Sequence, residues 1–304
     1  MVKSKQIRWY QRDLPRPLVV VVVALALAAL LLAVSPWRSQ RRPDRAGWVH
    51  LEWKFVAGPH GAAVVSAHLK RRSEEVTLQL VSFRPKEFDL VVLDNGPSRA
   101  TPRFGDLRRA MQSRGCIAGV NGGFFDPGSF KPNGLIISEG KAIGEYDADN
   151  WAKGVVVVRN GEMSLKDSAS FRPSGAVTHL LQTGPWLVRD GSPQARFEND
   201  FPAPRTFLAE GRSGIWMLGK SSAITLQDLS EMLARTTFEA ALTGQAKNAV
   251  NLDGGPSSGF WAQLKSGGEV HVPEQTLVRN YIGIRPRFSL DAQGALQQEP
   301  PALK

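Results

Sequence analysis

The sequence predicts an α+β domain: a mixed, mostly antiparallel twisted sheet flanked by a few helices and preceded by one N-terminal membrane helix. Three observations lead there. Short apolar runs bounded by glycine, proline, asparagine or aspartate recur along the chain. Only two segments carry a clear helical period. Strands and helices do not alternate one for one, which argues against a doubly wound parallel sheet. A chain of 304 residues can bury a large core.

Residues 1–17 form a basic segment, with Lys3, Lys5, Arg8, Arg12 and Arg16 against Asp13. Residues 18–34 read LVVVVVALALAALLLAV, without a polar side chain. As a helix they would rise roughly 25 Å, the short end of a bilayer span. A buried helix would normally show a polar stripe. Ala33-Val34-Ser35 loosely resembles a signal cleavage site, but Pro36 follows at once. An uncleaved transmembrane anchor is therefore expected. Residues 35–47 mix proline, glycine and Arg38, Arg41, Arg42 and Arg45, and read as a solvated linker. Lysine and arginine are nearly balanced across the span. The positive-inside rule thus gives only a lean toward a cytoplasmic N-terminus, reinforced by the large domain that follows. The expected arrangement is a single pass through the inner (cytoplasmic) membrane, with a folded domain at 48–287 on the periplasmic, extracytoplasmic side and a polar tail at 288–304.

The two flanks of the apolar run hold +7 of the formal charge of +10. That charge suits an anionic lipid surface, so no nucleic-acid partner is implied. The single cysteine, Cys116, excludes an intrachain disulfide and reads as a small core residue within CIAGV.

Inside the domain, Val76–Phe83 alternates apolar and polar residues as a half-buried strand does. Phe88–Leu93, Cys116–Val120, Leu135–Ile137, Val155–Val158, Thr206–Ala209, Ile215–Leu218 and Ala249–Leu252 are further expected strands. Asn160-Gly161 predicts a two-residue hairpin turn leading into Met163–Leu165. Helices are expected over Gly105–Ser113 and Leu226–Ala234, the second with Thr225 as N-cap and Asp228 completing a capping-box variant. Phe238–Leu242 extends or follows that helix.

Two loops share one design. In GVNGGFFDPG (Gly119–Gly128) a buried strand runs into Asn121-Gly122-Gly123, whose successive N–H groups could converge on an anion. Phe124 and Phe125 supply apolar walls, and Asp126 either faces a pocket or caps a turn. In NLDGGPSSGF (Asn251–Phe260) a second strand ends at Asp253, followed by Gly254, Gly255, Ser257 and Ser258. A carboxylate there suits a nucleophile, a general base or a metal ligand, or else an Asx turn. Gln182-Thr183-Gly184-Pro185, Asn133 and the Arg205-Thr206 pair could complete a site. Arg205 could hold a phosphate with two N–H donors. His179 among leucines reads as a core histidine before an acid or base. No GxxxxGK[ST], GxGxxG before a helix, HExxH, CxxC pair or GxSxG is present, so nucleotide, zinc and serine-hydrolase readings lack support.

NGGFFD, PNGL, QTGP, the Arg205-Thr206 pair and NLDGGPSS occur in the order and rough spacing of a known family. Over Val76–Pro286 the chain resembles the phosphodiester glycosidases, which hydrolyse a sugar 1-phosphodiester at the anomeric carbon. Where that family usually reads LDGGGS, Pro256 stands here and removes one N–H donor. The resemblance implies a phosphate-linked sugar or glycan substrate. It also implies a catalytic group of Asp253, Arg205, Asn121 and Asp126. Gly122, Gly123, Phe124, Asn133, Thr183, Gly184, Thr206, Gly254, Gly255 and Ser257 would bind substrate, with Asp253 as nucleophile or base and Phe124, Phe125 or Trp186 against the sugar ring. No cofactor is required. Two alternatives stand beside this one. Asp126 and Asp253 could hold Ca²⁺ or Mg²⁺ for phosphorus–oxygen cleavage, or Pro256 could mark a non-catalytic envelope module that binds glycan.

Overall fold

The computed structural model describes residues 47–149, 151–198, 200–238 and 244–287. The apolar run 18–34, the basic flanks and the tail 288–304 lie outside the described residues, and no helix among those residues is long and apolar enough to cross a membrane.

Eighteen strands and two α-helices are described. In chain order the first strands are β1 (Val49–Ala57), β2 (Ala63–Arg71), β3 (Glu74–Phe83) and β4 (Phe88–Asp94). Helix α1 (Leu107–Ser113) precedes β5 (Ala118–Asn121), β6 (Ile136–Ser138), β7 (Lys141–Ile143), β8 (Gly154–Arg159) and β9 (Glu162–Asp167). Then come β10 (Val177–Thr183), β11 (Trp186–Arg189), β12 (Ser192–Pro193), β13 (Ala203–Gly211) and β14 (Trp216–Ile224). Helix α2 (Leu226–Arg235) leads to β15 (Ala246–Asn251), β16 (Phe260–Gln263), β17 (Glu269–Val272) and β18 (Asn280–Pro286).

They form three sheets: β1-β2-β3-β14-β13-β15-β11-β12, β7-β6-β10-β8-β9, and β17-β16-β5-β18-β4. Every described pairing is antiparallel. The architecture is thus sheet-dominated α+β, three antiparallel sheets in place of one mixed sheet.

Alternation of side chains explains the layering. Val64, Val81, Leu208, Leu218 and Val250 of the eight-stranded sheet meet Ile136, Val156 and Leu181 of the second sheet and Val120, Phe260 and Ile282 of the third in one central core. The opposite face of the large sheet, with Leu187, Phe207 and Ala209, is covered by Leu226, Leu229 and Leu233 of α2. Helix α1 covers the third sheet with Leu107, Ala110 and Met111, beside Cys116.

Local signals act as expected at the ends of elements. Asn160 and Gly161 both take left-handed φ (51° and 77°), as a primed hairpin turn between β8 and β9 demands. Thr225 accepts the Asp228 N–H at 3.0 Å and donates to the Asp228 carboxylate at 2.7 Å. Two expectations need correction. Helix α1 starts at Leu107 because Gly105 has φ 87° and Asp106 is the extended N-cap, accepting from Arg109 N. Of the two readings of Phe238–Leu242, extension of α2 fails at its start: Thr236 at the C-cap is already extended (ψ 133°), and Phe238 bridges to Gly244, while residues 239–242 lie outside the described residues.

Candidate active site

Strands from all three sheets deliver their ends to one region. β5 ends at Asn121, β15 at Asn251 and β10 at Thr183, while β18 begins at Asn280 and β13 carries Arg205-Thr206.

Asn121, buried, ties the two glycine loops together. Its Nδ2 donates to the Asp253 carbonyl at 2.7 Å. Its Oδ1 accepts from Thr206 Oγ1 at 2.8 Å and from Gly259 N at 3.2 Å. The Asp253 N–H in turn donates to the Gly122 carbonyl at 3.0 Å. Asn121 and Thr206 therefore set the geometry around Asp253 with their own side-chain polarity.

The expected anion nest at Gly122-Gly123 is corrected by the backbone. Neither residue has positive φ, and both N–H groups are taken by Asn280, Gly122 N by its carbonyl (2.8 Å) and Gly123 N by its Oδ1 (2.7 Å). Glycine is required here for close approach: a β-carbon on Gly122 would stand 1.8 Å from Asn280 Oδ1. Gly255, at φ 58°, faces open space and supplies the left-handed turn of the second loop.

Asp253 is partly buried at the tip of that loop. Its Oδ1 accepts from Gly254 N at 2.9 Å. Burial pushes the carboxyl up from the usual 3.8 to about 6, against the opposing hydrogen bonds from Ser257 and Gly254. This is the environment of a general base or nucleophile poised near neutral pH. Asp126 differs. It is exposed, accepts Ser129 N (2.5 Å) and Ser129 Oγ (2.7 Å), and is held below the usual carboxylate range by those bonds. It caps its own turn. Among the described residues no group of three or more His, Cys, Asp or Glu is placed to hold a metal ion, and Asp126 and Asp253 are not gathered into one.

Arg205 is nearly buried and held rigidly. Its Nε donates to the Ile224 carbonyl at 3.1 Å and its Nη2 to the Phe201 carbonyl at 2.6 Å, with Asp200 at 3.7 Å. Burial draws its pKa down while Asp200 opposes the shift. Asp200 also accepts the first N–H groups of α2, Leu226 and Gln227. Two of the guanidinium nitrogens are thus committed to carbonyls, and Nη1 is the nitrogen left for a ligand. Nη1 carries two N–H groups of its own, so the two donors expected of Arg205 remain on this one nitrogen. A β-carbon on Gly254 would lie 3.8 Å from this Nη1, so the backbone of the residue after Asp253 packs against Arg205.

A cavity of ≈ 340 Å³ opens beside Arg205, lined by Phe124, Trp151, Pro185, Phe197, Leu226, Asn251, Arg196 and Glu198 as well. Asp253 is not on its wall. Phe124 meets Trp151 edge to face at 4.6 Å. Phe125 and Trp186 are core residues instead: Phe125 packs on Phe130, and Trp186 donates to the Lys153 carbonyl. Thr183 is buried and donates to the Asn251 carbonyl at 2.9 Å, while the Gly184 carbonyl accepts from Asn251 Nδ2 at 3.3 Å. Both shape the wall rather than reach into it. Asn133 is exposed, with its N–H on the Phe124 carbonyl. His179 is a satisfied core histidine. Its Nδ1 accepts from Val92 N at 3.2 Å, and burial lowers its pKa.

Four residues escaped the sequence reading. Asn251, inside the NLDGG motif and on the cavity wall, holds a buried Oδ1 without a hydrogen-bond partner among the described residues. Asn280 clasps the first loop. Trp151, in the polar run DADNWAKG, is half-exposed at the cavity; an aromatic outside any apolar period was its signal. Lys220 pairs across strands with Thr206, and burial alone lowers its pKa.

A sheet-built site with one carboxyl and one anchored arginine is what this geometry defines. Comparison with known proteins specifies it. A family model described as phosphodiester glycosidase matches residues 114–285. The chain belongs to the phosphodiester glycosidase family, a family of hydrolases. No curated protein matches in sequence. Among solved structures, the chain is similar to the catalytic domain of zebrafish N-acetylglucosamine-1-phosphodiester alpha-N-acetylglucosaminidase, auto-inhibited by its pro-peptide, at TM-score 0.56 and 16% identity over 78% of this chain and 88% of that one. It is also similar to a hypothetical protein from Synechocystis, at TM-score 0.53 and 16% identity over 78% of this chain and 64% of that one. At such identity the shared property is the fold.

Proposed function

We propose that this hydrolase cleaves a sugar 1-phosphodiester at the glycosidic bond, with Asp253 acting on the anomeric carbon as nucleophile or as base for water, and Arg205 Nη1 holding the departing phosphate. The observation that carries the reading is that Asn121 binds both the Asp253 carbonyl and the Thr206 hydroxyl, which brings the Asp253 loop, its carboxyl raised to about 6, and the strand that carries Arg205 to one place. A phosphate monoester is a good leaving group and needs little protonation, but its charge must be held as it develops. The carboxylate on the other side stabilises or captures the oxocarbenium-like centre. N-acetylglucosamine is the sugar to try first, since the similar zebrafish enzyme is named for that glycoside.

Arginine is needed at 205 for its shape. Nε and Nη2 fix the side chain on the Ile224 and Phe201 carbonyls while Nη1 remains for substrate. A lysine cannot do both. Arg205→Lys is expected to lose about 10²-fold in kcat/KM, the scale of removing one preorganised charge donor, with the melting transition still cooperative. Wild-type kcat/KM in that variant would remove Arg205 from the site.

A further inference from the structure

The cavity beside Arg205 touches that arginine and Asn251 but not Asp253. If Asp253 faces the anomeric carbon and Arg205 the phosphate, whatever fills this cavity is the other ester arm of the phosphodiester. The inference rests on that reading of the site and extends it to the alcohol esterified to the leaving phosphate.

The wall is largely apolar: Phe124, Trp151, Pro185, Phe197 and Leu226. Trp151 is 50% exposed and Phe201 63% exposed, two of the three large exposed hydrophobic side chains among the described residues. Trp151 stands edge to face on Phe124, and the Phe201 ring lies 5.7 Å from the Arg205 guanidinium carbon. Trp151 lines the cavity, and Phe201, outside its lining, stands against the Arg205 that does; exposed aromatic side chains beside a concave site mark a surface that meets an apolar partner. Charge narrows the choice further. Arg196 and Arg205 are offset by Glu198 on the same wall, and Asp200 lies 3.7 Å from Arg205. That balance suits one phosphodiester anion better than a diphosphate. Only Nη1 of Arg205 is left to hold it.

We propose that the cavity binds an aliphatic chain, so that the substrate is a sugar phosphate esterified to a lipid alcohol, with Trp151 and Phe201 gripping the chain as it departs, still joined to the phosphate. In the hydrolysis water adds at the anomeric carbon, the anomeric carbon–oxygen bond breaks, and that oxygen leaves with the phosphate as an alkyl phosphate. The sugar takes the hydroxyl, and one proton of the water is released.

The test compares N-acetylglucosamine 1-(methyl phosphate), its 1-(octyl phosphate) counterpart and UDP-N-acetylglucosamine on the full chain. Each fully buried methylene is worth about fourfold in affinity, and about twofold when half the chain surface stays wet. The octyl ester should therefore exceed the methyl ester in kcat/KM by about 10²-fold. The double substitution Trp151→Ala, Phe201→Ala should bring that ratio down to about tenfold or below. A ratio near one, or a preference for UDP-N-acetylglucosamine, whose uracil N–H could reach Asn251 Oδ1, overturns the aliphatic assignment while leaving the glycosidase reading intact. Failure to turn over any diester overturns the glycosidase reading itself. The cavity is then judged by titration calorimetry alone. Octyl phosphate binding well above methyl phosphate, and weakened by the double substitution, would uphold an aliphatic site; equal binding of the two would end it.

Discussion

Replacing Asp253 by asparagine is expected to lower kcat/KM by about 10³–10⁴-fold, the scale of losing a positioned base or nucleophile. The wild-type rate should in turn depend on ionisation of this carboxyl. Burial raises it to about 6, so kcat/KM should be half-maximal near pH 6 and fall tenfold per unit below that on the acidic limb. The same substitution should stabilise the fold. A carboxyl with a raised folded-state pKa binds its proton more tightly when folded. Its contribution is complete below about pH 4, the unfolded value, and is lost as pH rises through about 6. At pH 8 the ionised form costs the fold about 2 kcal/mol, allowing for partial exposure. The neutral amide of Asp253→Asn escapes that cost, while its oxygen can still accept the Gly254 N–H. Thermal denaturation should show the variant melting about 5 °C above wild type at pH 8 and level with it at pH 4. A variant that is inactive and less stable at pH 8 would mean that Asp253 is a structural turn residue.

Gly122→Ala is expected to cost about 3–5 kcal/mol and to abolish activity. The new methyl carbon would fall 1.8 Å from Asn280 Oδ1 and 3.1 Å from the Asn280 carbonyl oxygen. Asn280 cannot swing aside freely, because it is fully buried and its Oδ1 holds the Gly123 N–H. Displacing it leaves buried polar groups unpaired, on top of the overpacking itself. The Gly122 carbonyl then shifts, and with it the Asp253 N–H that it accepts. The two positions should therefore couple. Denaturant unfolding of Gly122→Ala, Asn280→Ala and the double variant should show costs well below additive, since Asn280→Ala removes the group that the new methyl strikes. Strict additivity would show that the two side chains do not share this space.

Some of this was legible in the residues alone. The paired loops around Asn121 and Asp253 do meet, because both sit where a buried strand runs out into glycine. The hairpin at Asn160-Gly161 and the cap at Thr225 depend on neighbours a few residues away, and such short-range chemistry can be read from a sequence. What could not be read is where polar groups go once three sheets converge. Asn121 looked like a free amide, yet Thr206, Gly259 and Asp253 come from distant strands to satisfy it. Gly122-Gly123 looked like an anion nest, yet Asn280, 157 positions beyond Gly123, occupies its N–H groups. Arg205 looked like a phosphate clamp alone, yet the carbonyls of Phe201 and Ile224 take two of its three nitrogens and fix its side chain. Strands β1 and β2 and the ends β16–β18 escaped notice because their charged and polar residues, such as His68, Lys70 and Glu269, interrupt the apolar signal. Cross-strand pairing supplies what alternation lacks.

The role of Asp253 depends on which bond breaks. Hydrolysis of N-acetylglucosamine 1-(octyl phosphate) by the full chain in ¹⁸O-water, read by mass spectrometry, decides it. Attack at the anomeric carbon places the label in the released sugar and leaves the octyl phosphate unlabelled. Label in the phosphate product instead would mean phosphorus–oxygen cleavage, and would contradict the role assigned to Asp253.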